Sequence, residues 1–122
     1  MVKTPYFLTA KVSVSANSTG DITIRTDANE TLYLHKIAFK STGSFEIFDW
    51  EDSRGNSFTN ATSSVTIASD VLPLEQSALD NYIELPEPIV IEPATVHTIS
   101  VKDTSGAANT IRFFAVGIRE LK

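Results

Sequence analysis

The chain has 122 residues, a formal net charge of -5 and no cysteine. That length suits one domain with a real core, and the missing cysteine excludes disulfides, thiolate metal sites and thiol catalysis. With 42% hydrophobic and 20% charged residues, the chain is neither disordered nor fibrous.

Lys and Arg form no run along the sequence, so no basic face for nucleic acid is expected. No stretch approaches the ~18 apolar residues of a membrane span. Met1 to Pro5 carries no long apolar run after its lysine and does not read as a secretory signal. The expectation is a cytoplasmic protein with neither nucleic acid nor membrane as a partner.

Thirteen Ser, 14 Thr and many Val, Ile and Phe suit pleated, half-buried surfaces. No apolar stripe at 3.6-residue spacing exceeds two turns, so the class is all-β. Phe7 to Ser15 alternates through Val12 and Val14. Asn17 to Asp21 is a turn by residue type, and Ile22 and Ile24 alternate again. This predicts a hairpin of residues 7–15 with 21–26. Thr31 to Lys40 is the longest early strand, with Leu32 and Leu34 on one face and Tyr33, His35, Ile37 and Phe39 on the other. Phe45 to Trp50 repeats the pattern, with Phe45 and Ile47 against Phe48 and Trp50. Apolar residues on both faces predict central strands, or strands whose outer face meets a partner.

Residues 51–56 read as a turn, and Val65 and Ile67 as a short strand. Residues 61–79 read as a crossing between sheets, with one helical turn near 71–78. Pro86 and Pro88 cannot donate ladder hydrogen bonds, which places them at an edge or a corner. Val96 to Val101 and Ile111 to Ile118 predict a closing hairpin around Thr104 to Asn109. Gly117 predicts a bulge or a close backbone approach. The sum is a jelly-roll-like antiparallel β-sandwich of about eight strands, forming one domain over residues 1–122. Residues 1–6 are a candidate N-terminal arm. An immunoglobulin-like sandwich is the alternative.

No motif for a nucleophile with its base appears, and there is no Gly-rich phosphate loop, so no enzyme and no cofactor are expected. Glu84, Glu87 and Glu92 read as solvated strand ends rather than paired catalytic carboxylates. His35 and His97 are too few to define a metal site. Asp49, Asp52 and Asn56, with Glu51 nearby, are weak calcium candidates whose spacing does not fit the 12-residue calcium loop. Tyr33, Phe48 and Trp50 are candidates for an interface or a ligand platform, with Tyr82 a further ring for the sugar-stacking version; the same rings can instead be core, and core or interface is the favoured reading. The Asn-x-Ser/Thr triplets at Asn17, Asn29 and Asn60 read as chance in a Thr-rich chain.

The run Leu85-Pro86-Glu87-Pro88-Ile89-Val90-Ile91-Glu92-Pro93, then Ile99 to Ile111 with its Asp103-Thr104-Ser105-Gly106-Ala107-Ala108-Asn109 turn, then Gly117, resembles small jelly-roll virion proteins of tailed phages. These are head decoration and minor capsid proteins, and the resemblance covers the C-terminal third. It implies a non-enzymatic assembly role as a homo-oligomer, expected to be a trimer, beside a capsid shell protein. The location would then be the virion. A carbohydrate-binding or adhesion module is the alternative function, with Trp50 and Tyr33 stacking on sugar.

Overall fold

A computed structural model gives the fold and describes residues 2–60, 65–68 and 83–122. Eight strands are present: β1 (Val2–Val14), β2 (Thr19–Arg25), β3 (Glu30–Ser41), β4 (Phe45–Glu51), β5 (Ile67–Ala68), β6 (Ile83–Ile91), β7 (Val96–Asp103) and β8 (Asn109–Leu121). They form two four-stranded antiparallel sheets. Sheet A has the order β1-β8-β3-β6 and sheet B the order β2-β7-β4-β5. The chain alternates between sheets at every described connection except β4 to β5. This order is that of a jelly roll, as the sequence predicts. The expected helical turn at 71–78 and most of the crossing at 61–79 lie outside the described residues.

Two sequence expectations are corrected. Neither predicted hairpin forms. β1 pairs with β8 and β2 with β7, so β1 and β2 lie in opposite sheets, as do β7 and β8. The connecting residues look like hairpin turns but fold as arches. Asn17 takes φ 58° and Gly106 φ 80°, left-handed conformations that redirect the chain. The buried Asp103 carboxylate accepts the backbone N–H groups of Asn17, Ser105 and Gly106. Both arches are thereby held to the end of β7. Val2 to Tyr6, expected as a candidate arm, run along sheet A opposite Leu121 to Gly117.

The second correction concerns the apolar residues on both faces of β3 and β4. Each strand carries one extra residue. The register of β3 shifts between Leu34 and Lys36, leaving His35 over, and that of β4 between Ile47 and Asp49, leaving Phe48 over. A single inserted residue reverses which side chains point inward. Leu32, Leu34, Ile37 and Phe39 therefore all face one core, as do Phe45, Ile47 and Trp50. The pattern that reads as two apolar faces is one apolar face with a change of phase.

At the centre, Phe113 of β8 lies 5.2 Å from the Phe39 ring and 5.5 Å, edge-on, from Trp50. It joins the layers contributed by both sheets. Gly117 sits opposite Leu34 at the β3 bulge, where an added Cβ would overlap the Tyr33 carbonyl. Both readings of Gly117, bulge and close approach, describe this spot. Pro86 and Pro88 lie in β6, an edge strand, across from the same bulge.

Candidate functional site

The sequence-chosen residues do not converge. Tyr33 is half-buried on the outer face of sheet A, between Ile118 of β8 and Val90 of β6. Phe48 is the extra residue in β4 of sheet B. Trp50 is only 4% exposed and belongs to the core, because the bulge at Phe48 turns it inward. Its Nε1–H donates to His97 Nδ1 at 3.3 Å, and the Phe58 ring stacks on His97 with centroids 5.3 Å apart. No shared aromatic platform results from Tyr33, Phe48 and Trp50.

Burial pushes the His97 imidazole below its ordinary pKa, against a smaller upward pull from the Asp52 carboxylate. His35 is exposed on β3, in the other sheet, so the two histidines are not neighbours.

Of the calcium candidates, Asp52 and Asn56 meet and Asp49 stands apart from them. Asp52 Oδ1 accepts the backbone N–H groups of Arg54 and Asn56, and its Oδ2 accepts Asn56 Nδ2–H at 3.1 Å. Partial burial raises the Asp52 pKa, but these donors outweigh it and hold the carboxyl below its usual range. Asp49 Oδ1 accepts the Ser57 hydroxyl at 2.9 Å and the Trp50 N–H at 2.8 Å. Glu51 is raised by its hydrogen bond to Asp49 and by that neighbour's charge. Among the described residues no group of three His, Cys, Asp or Glu side chains is placed to hold a metal ion. A shallow cleft of ≈ 40 Å³ between Asp52, Arg54, Glu92, Thr95 and His97 has room for water, but not for the ~300 Å³ of a small-molecule pocket.

The outer face of sheet A has a different chemistry. Strand register lines its outward side chains into rows. One row is Pro5, Ile118, Tyr33 and Val90; the next is Phe7, Val116, Lys36 and Glu84; the third is Thr9, Phe114 and Ala38. Phe7 is 66% exposed, Val90 41% and Ile118 37%. The Phe7 and Phe114 rings lie 6.4 Å apart. Three rows on strands ~4.8 Å apart span roughly 20 Å by 20 Å, an apolar-rich patch of about 400 Å². Patches of that size on a folded domain are often functional.

A fourth row, Lys11, Arg112 and Lys40, crosses β1, β8 and β3 on the same face. All three are exposed, and among the described residues none forms an ion pair. Like charges set directly opposite each other destabilise a sheet. Sequence reasoning missed this row because its members are far apart along the chain. Only the register joins them.

At the end of the sandwich that carries the arches, polar groups are tightly satisfied. Asp103 is fully buried and accepts Ser105 Oγ–H at 2.5 Å, the three arch amides and Asn109 Nδ2–H at 3.0 Å. The Ser105 hydroxyl, then the Asn17 amide, hold its pKa far below the usual carboxylate range despite desolvation. Asn109 also donates to the Gly43 and Ser44 carbonyls, and its Oδ1 accepts the Thr42 hydroxyl and the Gly43 N–H. Every bond in this network is internal, so it reads as a structural clamp.

No protein-family model matches the chain, and no curated protein matches its sequence.

Proposed function

We propose that this chain is a non-enzymatic structural protein, a jelly-roll subunit of a virion or a similar repetitive assembly, packed against protein neighbours through the outer face of sheet A. The observation that carries this reading is the apolar-rich patch of Phe7, Phe114, Val116, Ile118, Tyr33 and Val90. Aromatic and aliphatic side chains gathered on a rigid sheet are the usual anchors of a protein interface. The whole outer face of a four-stranded sheet of this length covers about 800 Å², close to one partner's share of a standard interface. The neighbours are copies of the chain, in a trimer, and a shell protein beneath them.

Light scattering behind a sizing column, over a hundredfold concentration range, tests the reading. The expected result is a concentration-independent mass near three times the 13.3 kDa protomer. A protomer-sized species at every concentration would remove self-assembly from the proposal.

A further inference from the structure

Sheet A has two edge strands, β1 and β6, and their charges are opposite. The β1 side begins the cation row with Lys11, followed by Arg112 on β8. The β6 side exposes Glu84 and Glu87. Of these acids only Glu84 faces a cation of its own sheet, Lys36. Each side also exposes an apolar anchor, Phe7 on β1 and Val90 on β6.

We infer that the neighbour covering sheet A is a second copy of this chain docked head to tail, the β1 side of one protomer against the β6 side of the next. This rests on the assembly reading above and specifies its contact. A two-fold contact centred on β1 would set Lys11 and Arg112 against their own copies, cation on cation. The head-to-tail contact sets those cations against carboxylates and Phe7 against an apolar edge. Pro86 and Pro88 have no N–H groups, so β6 is a poor template for continuing the hydrogen-bonded ladder. The contact is therefore made by side chains and not by strand addition. Head-to-tail contacts close into rings when the rotation allows, and a ring of three requires such a contact, since a two-fold one builds only pairs.

Two charge-reversed chains provide the test: Lys11→Glu with Arg112→Glu, and Glu84→Lys with Glu87→Lys. Each alone is expected to associate more weakly, its oligomer dissociation constant rising at least tenfold at low salt. Mixed in equal amounts, the two are expected to recover most of the association each has lost, because two of the three junctions in a mixed ring of three are again complementary; a mixture as weak as either chain alone would count against the contact. Circular dichroism melts confirm that both chains fold.

An independent readout uses the absence of native cysteine. Lys11→Cys combined with Glu87→Cys is expected to give covalent oligomers on mild oxidation. The two positions lie on opposite edges of one sheet, three strand spacings or roughly 14 Å apart, too far for a bridge within one protomer. A wild-type protomer-sized mass would overturn the assembly reading itself. A wild-type oligomer indifferent to both reversals and lacking the 11–87 cross-link would overturn only the head-to-tail contact.

Discussion

The two outer faces of the sandwich are built from the same kind of strand and differ in chemistry. On sheet B the outward side chains are mostly polar: Thr19, Asp21, Thr23 and Arg25 on β2, Thr98, Ser100 and Lys102 beside Val96 on β7, and Glu46, Asp49 and Glu51 on β4. The Ser100 hydroxyl donates to Asp21 at 3.0 Å, and the register sets Lys102 opposite Glu46, a charge of the other sign. On sheet A the same positions carry aromatic and aliphatic residues beside cations that form no ion pair among the described residues. The inner faces are alike, so folding accounts for both of them and for neither outer face. Sheet B is finished as a surface against water. Sheet A carries the face that we propose meets a neighbour.

The largest test removes what the two sheets share. Phe113→Ala is expected to cost about 3–5 kcal/mol, as large aromatic truncations do, and to lower a single cooperative melt followed by circular dichroism. Separate melting of two populations would mean that the sheets are not two sides of one unit.

The next test separates the faces. Phe7→Lys is expected to weaken self-association about tenfold or more with little change in melting temperature, since Phe7 is exposed and contributes little to the core. Thr23→Lys, the matching change on sheet B, is expected to leave the mass unchanged and stability within about 0.5 kcal/mol. Equal effects from both would erase the distinction.

A smaller effect distinguishes the two ends. Folding depresses the pKa of His97, so the unfolded chain binds the extra proton more readily. The stability this provides is complete above about pH 6.5 and is lost progressively as the pH falls below that. Protonation at Nδ1 also removes the acceptor for Trp50, the single tryptophan of the chain. Its fluorescence is expected to titrate over this range in the wild type and not in His97→Gln. Asp103 acts in a lower window. Its carboxyl is depressed by folding, so its contribution is present above about pH 4 and lost below. In acid unfolding curves Asp103→Asn is expected to flatten that later step and leave the earlier one.

The strands themselves were readable wherever alternation was unbroken, as in β2 with Ile22 and Ile24 and in β7 with Ile99 and Val101. Gly117 and the two prolines were readable because each has a backbone requirement that few positions meet. The partners of the strands were not readable. The arch around Asn17 has the composition of a hairpin turn, and only the buried Asp103, distant in sequence, shows that it crosses between sheets. The candidate site was legible least. Tyr33 lies on the outer face, between Ile118 and Val90, while alternation counted straight through the bulge sets Trp50 on the face opposite Phe45 and Ile47, when all three are in the core. The Lys11, Arg112 and Lys40 row exists only once three strands are set in register.

The extra residue at His35 also fixes how this sequence can change in length. Deleting it would join Leu34 directly to Lys36, opposite Gly117 and Val116, and return β3 to strict alternation with Leu32, Leu34, Ile37 and Phe39 still facing the core. Phe48 stands the same way in β4, where Ile47 and Trp50 face the core on either side of Phe48 and Asp49. A residue lost inside an unbroken strand such as β2 would instead turn over everything beyond it. Single-residue length changes in descendants of this chain are therefore expected at its loops and at these two spacers, and not inside strands whose alternation is unbroken.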